Sequence, residues 1–127
     1  MDDCCCKKRI LLVDDDEIHL SILSNILEVK YDILIAKSGK EAIEFFFKGQ
    51  YPDLALLDIL MPDMDGWETY KRIKAFSLLK DIPMLFVSAV DDAPTKSRAQ
   101  ELGALDFITK PCDPEDLLTR ISRAIKS

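Results

Sequence analysis

The 127-residue chain reads as one α/β domain: a doubly wound parallel sheet of five strands with five helices. Three observations predict this. Short, dense apolar runs alternate strictly with segments of helical spacing. The runs are continuous rather than alternately polar, as strands covered on both faces require. The length suits one domain of common size, able to bury a core without disulfides or structural metal.

The first run is "RILLV" at 9–13. A helix over 17–29 follows, with Ile18, Ile22, Leu23, Ile26 and Leu27 recurring at three and four residues. The second run is "YDILIA" at 31–36, and Ala42, Ile43, Phe46 and Phe47 mark a helix over 39–48. The third run, "LALLD" at 54–58, ends on a charge. Asp63, Asp65 and Gly66 then shape a turn into a helix over 67–79, whose apolar candidates are Trp67, Tyr70, Ile73 and Leu78. The fourth run is "PMLFVSA" at 83–89, with Asp91 and Asp92 in the loop after it. A shorter helix over 95–102 has Pro94 near its start and Gly103 just past its end. The fifth run is "DFITK" at 106–110. The last helix, 114–125, has Asp113 as its N-cap, Pro114 at its first position and a stripe of Leu117, Leu118, Ile121 and Ile125. Strict alternation implies right-handed crossovers and helices on both faces of the sheet. No repeat, linker or low-complexity stretch interrupts the pattern.

Composition narrows the function classes. Hydrophobic residues are 48% and charged residues 31%, a soluble balance; the net charge of −6 argues against a basic nucleic-acid surface. No apolar stretch approaches the roughly 20 residues of a membrane span. The start, "MDDCCCKKRI", lacks the apolar segment of a secretory signal, so a cytoplasmic protein is expected. Three of the four cysteines, Cys4, Cys5 and Cys6, are adjacent, which suits neither a disulfide framework nor a zinc spacing. They are expected to be free thiols on a frayed terminus. The chain ends where the fifth helix should end, as expected of a stand-alone domain or one cut from a longer protein.

In an open parallel sheet, ligands bind beyond the carboxyl ends of the strands. Strand one ends in "VDDDE" with Asp14, Asp15 and Asp16; strand three in Asp58; strand four in Ser88; strand five in Lys110. Strand two, ending in "AKSG", delivers no comparable group. With strands one and three adjacent, about 4.8 Å apart, Asp14 or Asp15 must lie close to Asp58. Like charges that close oppose one another, and a divalent cation relieves them. Oxygen-only ligands point to Mg2+ or a similar hard ion. Lys110 adds a positive charge on the far side and Ser88 a hydroxyl. His19 is not needed for this and is expected on the surface. The set makes a place for a tetrahedral dianion, and the reaction it suggests is phosphoryl transfer onto Asp58.

"ILLVDDDE", "LLDILMPDMDG", "LFVSA" and "DFITKP", in this order at these strand ends, resemble the receiver domain of two-component response regulators over about residues 8 to 126. The resemblance implies a flavodoxin-like strand order 2-1-3-4-5. It implies a tail over 1–8 and a receiver domain over 9–127. It makes Asp58 the phosphoacceptor, Asp14 and Asp15 the acidic pair with Asp15 the more direct metal ligand, and Leu60 the donor of a backbone carbonyl to Mg2+. Ser88 matches the Ser/Thr position, Lys110 the lysine that pairs with the phosphoryl group, and Phe107 the aromatic switch. The Lys110–Pro111 bond is expected to be cis, as in the family.

The implied partners are a sensor histidine kinase or histidine phosphotransfer protein, an output domain or downstream protein, and a phosphorylation-dependent homodimer, with no direct nucleic-acid or membrane partner. The implied role is a switch that catalyses its own phosphorylation and slow dephosphorylation, not a classical enzyme. Three features depart from the pattern or sit beside it. Cys112 stands where the family often has phenylalanine. Leu60 and Val90 fall at positions that modulate dephosphorylation; both are apolar, so a long-lived phosphorylated form is expected. Asp16 is expected to cap the first helix or to support the site from behind, rather than to be a metal ligand. A phosphatase of the haloacid dehalogenase type also uses an aspartate nucleophile and Mg2+, but it expects a second acid where Leu60 stands. A docking module without phosphorylation would not need Asp15, Asp58, Ser88 and Lys110 together.

Overall fold

Parallel pairing across the chain assembles the five apolar runs into one sheet. The computed structural model describes residues 7–61, 64–76, 81–89, 92–110 and 113–126. The expectations for Cys4, Cys5, Cys6, Asp63, Leu78, Val90, Asp91, Pro111 and Cys112 lie outside the described residues. The elements follow in the order β1 (Arg9–Val13), α1 (Glu17–Leu27), β2 (Asp32–Ala36), α2 (Gly39–Phe47), β3 (Leu54–Asp58), α3 (Gly66–Lys74), β4 (Met84–Ser88), α4 (Ala93–Leu102), β5 (Asp106–Thr109) and α5 (Pro114–Lys126). The strand order is β2-β1-β3-β4-β5, all parallel, as the resemblance implied.

Successive strand residues face opposite sides, so each continuous run feeds two cores. Leu11, Val13, Leu57 and Phe86 pack toward one side with Trp67, Tyr70 and Ile73 of α3. Ile10, Leu12, Leu56 and Val87 pack toward the other with Leu23 and Leu27 of α1 and Leu117 and Ile121 of α5. Every residue of β3 and β4 is buried. A fully buried Leu or Phe contributes about 1.5–3 kcal/mol. The central strands therefore anchor the sheet, and their carboxyl ends cannot shift cheaply.

Acidic caps launch the helices from the carboxyl edge. Asp16 accepts from the N–H groups of Ile18 and His19, Asp65 from Glu68, Asp92 from Thr95, and Asp113 from Asp116. Asp16, Asp65 and Asp113 thus have the capping or turn roles read from their positions. Asp92 is more than a loop residue: it caps α4, which starts two residues earlier than the expected 95. Gly103 takes the left-handed conformation (φ 96°) that ends α4.

Two expectations fail in α1. Of the stripe drawn through Ile18, Ile22, Leu23, Ile26 and Leu27, the first two do not face the core, while Ile26 packs against it with Leu23 and Leu27. Ile18 is 73% and Ile22 49% exposed, while Leu20, Leu23 and Leu27 are buried. His19, expected on the surface, is buried beside them, at 8% exposure. The helix is apolar around most of its circumference, so rotating it would exchange leucines for isoleucines at nearly equal hydrophobic gain. The inward face is the one that also gives the buried His19 imidazole an acidic partner.

α3 ends at Lys74, short of the expected 79. α4 is lightly held: Ala99 is its one buried residue among those described. Its further ties are the Arg98 guanidinium 4.5 Å from the centre of the Trp67 ring and the Tyr70 hydroxyl donating to the Leu102 carbonyl (3.0 Å). Among the described residues no helix is long and apolar enough to cross a membrane.

Candidate functional site

The β1–β2 ladder runs one residue past β1, because the Asp14 N–H donates to the Ala36 carbonyl (3.1 Å). That bond places the Asp14 side chain at the sheet's carboxyl edge, where it is 2% exposed. Asp15, the next residue, is exposed. On the neighbouring strand Val13 pairs with Leu57, so Asp58 emerges beside Asp14. Asp58 is also buried, at 5% exposure. Carboxylate oxygens of Asp14, Asp15 and Asp58 lie within 4.8 Å of one another. This answers why an apolar strand ends on a charge: Asp58 sits where two strand ends and two loops converge.

Lys110 is positioned by its own backbone. Its N–H donates to the Ser88 carbonyl (2.9 Å), continuing the β4–β5 ladder past Thr109. Its ammonium then reaches Asp14 Oδ2 at 3.2 Å and Asp58 Oδ1 at 3.4 Å. The ammonium thus stands beside the Asp58 carboxylate, as the strand-end pattern predicts, and it reaches Asp14 as well because the long side chain spans back across the strand end.

The electrostatics separate the two buried acids. Burial, then the Asp14 charge, pushes the Asp58 carboxyl up to about 6, with Lys110 only partly offsetting them. Burial alone would raise Asp14 too. The His19 hydrogen bond, the Asp16 N–H and Lys110 together overcome it and hold Asp14 at about 2. Burial disfavours the Lys110 ammonium, but the charges of Asp58 and Asp14 outweigh it and raise that group above its ordinary range. With all three acids ionised, three negative charges face one ammonium, leaving two uncompensated. A divalent cation matches that deficit, and an all-oxygen donor set suits a hard ion such as Mg2+. The residues therefore fit the metal that the sequence implied.

Gly66 holds the other side of Asp58. Its N–H donates to the Ile59 carbonyl (2.9 Å), and a Cβ there would stand 2.4 Å from the Asp58 carbonyl oxygen and 2.7 Å from Ile59 Cα. Only glycine lets α3 begin this close to the backbone that carries the acid. Ile59 is buried, whereas the Leu60 side chain is 61% exposed.

Ser88 is fully buried at the end of β4. Phe86 pairs with Phe107, and Ser88 lies two residues beyond Phe86, so Ser88 and Phe107 share one face of the sheet. Phe107 is half-buried and borders a groove of about 490 Å³ between α4, β5 and α5, with Lys96, Gln100 and Arg120 around it. Arg120 is tied down within that face by Asp106 (2.7 Å) and Asp116 (2.9 Å).

Sequence reasoning missed His19. Its Nδ1 lies 2.5 Å from Asp14 Oδ2. The available signal was a polar ring between Ile18 and Leu20 in the first turn, five residues after a strand-end acid.

The family model described as "Response regulator receiver domain" matches residues 10–122. The chain is 34% identical over 110 residues to a Porphyridium aerugineum protein named "Probable transcriptional regulator ycf27", covering 87% of this chain and 42% of that protein. It is 38% identical over 104 residues to a Vibrio cholerae protein named "Probable cyclic di-GMP phosphodiesterase", covering 81% of this chain and 23% of that one. The chain thus spans about two fifths or less of the length of these curated relatives. Among solved structures, the CheY-like response regulator receiver domain protein of Methanospirillum hungatei JF-1 superposes with a TM-score of 0.84 at 33% identity, covering 95% of each chain. The match spans all five strands and both flanking helix layers, and with it this chain belongs to the receiver-domain family of two-component response regulators.

Proposed function

We propose that Asp58 is the phosphoacceptor of this receiver domain and that residues 9–127 form the switching unit, with 1–8 as a tail. Receiver domains are phosphorylation switches, and their partners are histidine kinases or phosphotransfer proteins. The observation that carries the assignment is a buried carboxylate at a strand end, 3.4 Å from an ammonium and within 4.8 Å of two further acids. In the proposed transfer an Asp58 oxygen bonds to phosphorus as the phosphorus–nitrogen bond of the donor phosphohistidine breaks. The electron pair returns to the imidazole nitrogen, and the product is an acyl phosphate.

Asp14, Asp15, Asp58 and the Leu60 carbonyl would hold Mg2+. When bound, the ion supplies positive charge to the phosphoryl oxygens. Lys110 pairs with those oxygens after transfer, which exchanges its present contact with Asp58 for one with the new dianion. Phosphorylation adds roughly one unit of negative charge at Asp58. Ser88 turns toward that charge, Phe107 moves inward over the space it leaves, and the α4–β5–α5 face is reshaped. The light packing of α4 supports this, since little buried surface opposes its displacement. That face is the proposed contact for an output domain, a downstream protein or a second copy. The proposed setting is the cytoplasm, with no direct nucleic-acid or membrane contact.

Acetyl phosphate with Mg2+ tests the assignment. The native chain should take one phosphoryl group, and Asp58→Asn or addition of EDTA should abolish labelling. Stoichiometric labelling of the variant would sink the assignment. The label should also persist after excess acetyl phosphate is removed, because neither Leu60 nor Val90 can orient an attacking water. Decay in Mg2+ as fast as the label forms would refute that second statement.

A further inference from the structure

The Asp14 carboxylate is nearly saturated by groups of the chain itself. Oδ2 faces His19 Nδ1 at 2.5 Å and the Lys110 ammonium at 3.2 Å. Oδ1 accepts the Asp16 N–H at 3.0 Å. A carboxylate oxygen has about two lone-pair sites. The two donors fill Oδ2, and one site remains on Oδ1.

From this geometry we infer that His19 is a positioning residue for the divalent cation: it pins Oδ2 of Asp14 so that Oδ1 is the oxygen presented to the ion or to a water on it. The inference rests on the phosphoacceptor reading and adds a residue to it. The last torsion of an aspartate is broad and low in barrier, so a fixed carboxylate needs an anchor on each oxygen. The Asp16 N–H anchors Oδ1. On Oδ2 Lys110 is a weak anchor alone, because it divides its ammonium between Asp14 and Asp58. His19 is the undivided one. Its ring sits in the first turn of α1, and the same turn is fixed by the Asp16 cap. It is buried, so solvent does not compete for the bond. Groups that hold a metal ligand in place from behind commonly change affinity by about 10–100-fold when removed. Their loss changes how much metal is needed and leaves the reacting atoms untouched.

The competing account is that His19 merely fills the core between α1 and the sheet. A leucine fills that volume equally well, and an asparagine fills it poorly. An asparagine, however, carries an N–H donor at the same distance from the backbone as imidazole Nδ1. The two variants therefore separate positioning from packing.

The experiment is a Mg2+ titration of the native chain, His19→Leu and His19→Asn, followed by calorimetry and by the amide resonances of Asp15 and Asp58. Acetyl phosphate labelling is measured across the same Mg2+ range. His19→Leu should weaken Mg2+ binding by about tenfold or more, and His19→Asn should remain near native. The half-saturating Mg2+ for labelling should move with the affinity, while the rate at saturating Mg2+ stays near native in both. A leucine variant with native affinity, or an asparagine variant as weak as leucine, would overturn the inference. A third readout needs no variant and stands if the leucine chain fails to fold. Two-bond 1H–15N spectra of the metal-free native protein should show a proton on His19 Nδ1 and a shift of that resonance on adding Mg2+. A proton-free Nδ1 would equally overturn it. A native chain that binds no Mg2+ would overturn the phosphoacceptor reading itself, and this inference with it.

Discussion

In metal-free buffer at pH 7, Asp58→Asn, the variant expected to lose phosphorylation, is expected to be more stable than the native chain by about 1–3 kcal/mol. The sign follows from the shift. The Asp58 carboxyl lies near 6 in the folded protein and near 3.8 in the unfolded chain. Between those values the folded state holds a proton that the unfolded state has released. Folding stability from this group therefore falls as pH rises from about 4 to about 6 and stays reduced above that. Asp14 has the opposite sign. Its folded value of about 2 lies below the unfolded 3.8, so the stability it contributes is present above about 4 and is lost as pH falls toward 2.

Taken together, the contribution of these two acids to the stability of the metal-free chain is largest near pH 4. Urea midpoints across pH 3–8 in EDTA check this: the native and Asp58→Asn curves should coincide near pH 4 and diverge by pH 6–7. Mg2+ should reverse the order of the two chains at neutral pH, since a ligand at 100 times its dissociation constant adds about 2.7 kcal/mol to the form that binds it. A variant less stable than the native chain in EDTA at pH 7 would contradict this account of a buried, uncompensated acid.

Gly66→Ala is expected to cost about 1–3 kcal/mol and to slow phosphorylation by about 100-fold. The new methyl would meet the Asp58 carbonyl oxygen at 2.4 Å and Ile59 Cα at 2.7 Å. Both are backbone atoms, so no rotamer change relieves the overlap. Either α3 moves away or the end of β3 does, and in both cases Asp58 shifts relative to Lys110. Gly49→Ala is the matching control. Gly49 has φ of 80° and open space around it, so alanine there costs about 1–2 kcal/mol in backbone conformation without touching the site. Comparable losses in urea midpoint with labelling impaired only in Gly66→Ala would confirm that this glycine serves the site. Equal labelling in the two variants would refute it.

The strands and the candidate acids were legible in the sequence to an unusual degree. β1 and β3 run over the expected residues, and β2, β4 and β5 differ by one or two at their ends. Buried parallel strands are written as uninterrupted apolar runs, and each polar residue that ends such a run marks a strand terminus. The same logic brings Asp14, Asp15, Asp58, Ser88 and Lys110 to one edge from the sequence alone. The orientation of α1 was legible only in part: Leu23, Ile26 and Leu27 pack in the core as expected, whereas Ile18 and Ile22 do not. The apolar arc of this helix is wider than the face that the sheet covers, and periodicity does not choose which edge of it stays exposed. The second contact of Lys110, with Asp14, was hidden too, because a side chain that long can reach several partners from one backbone position.

What the sequence determined alone was order: five strands, five helices, capping acids and a set of charged groups at strand ends, all set by local pattern and chain connectivity. What only the tertiary structure decided was pairing. His19 meets Asp14, Lys110 lies against two acids, and Gly66 presses on the carbonyl behind Asp58. These contacts join residues at loop ends and helix starts, where a rotation of one helix or a change of one torsion selects a different neighbour. Their geometry depends on distances across the sheet edge, which no spacing along the chain encodes.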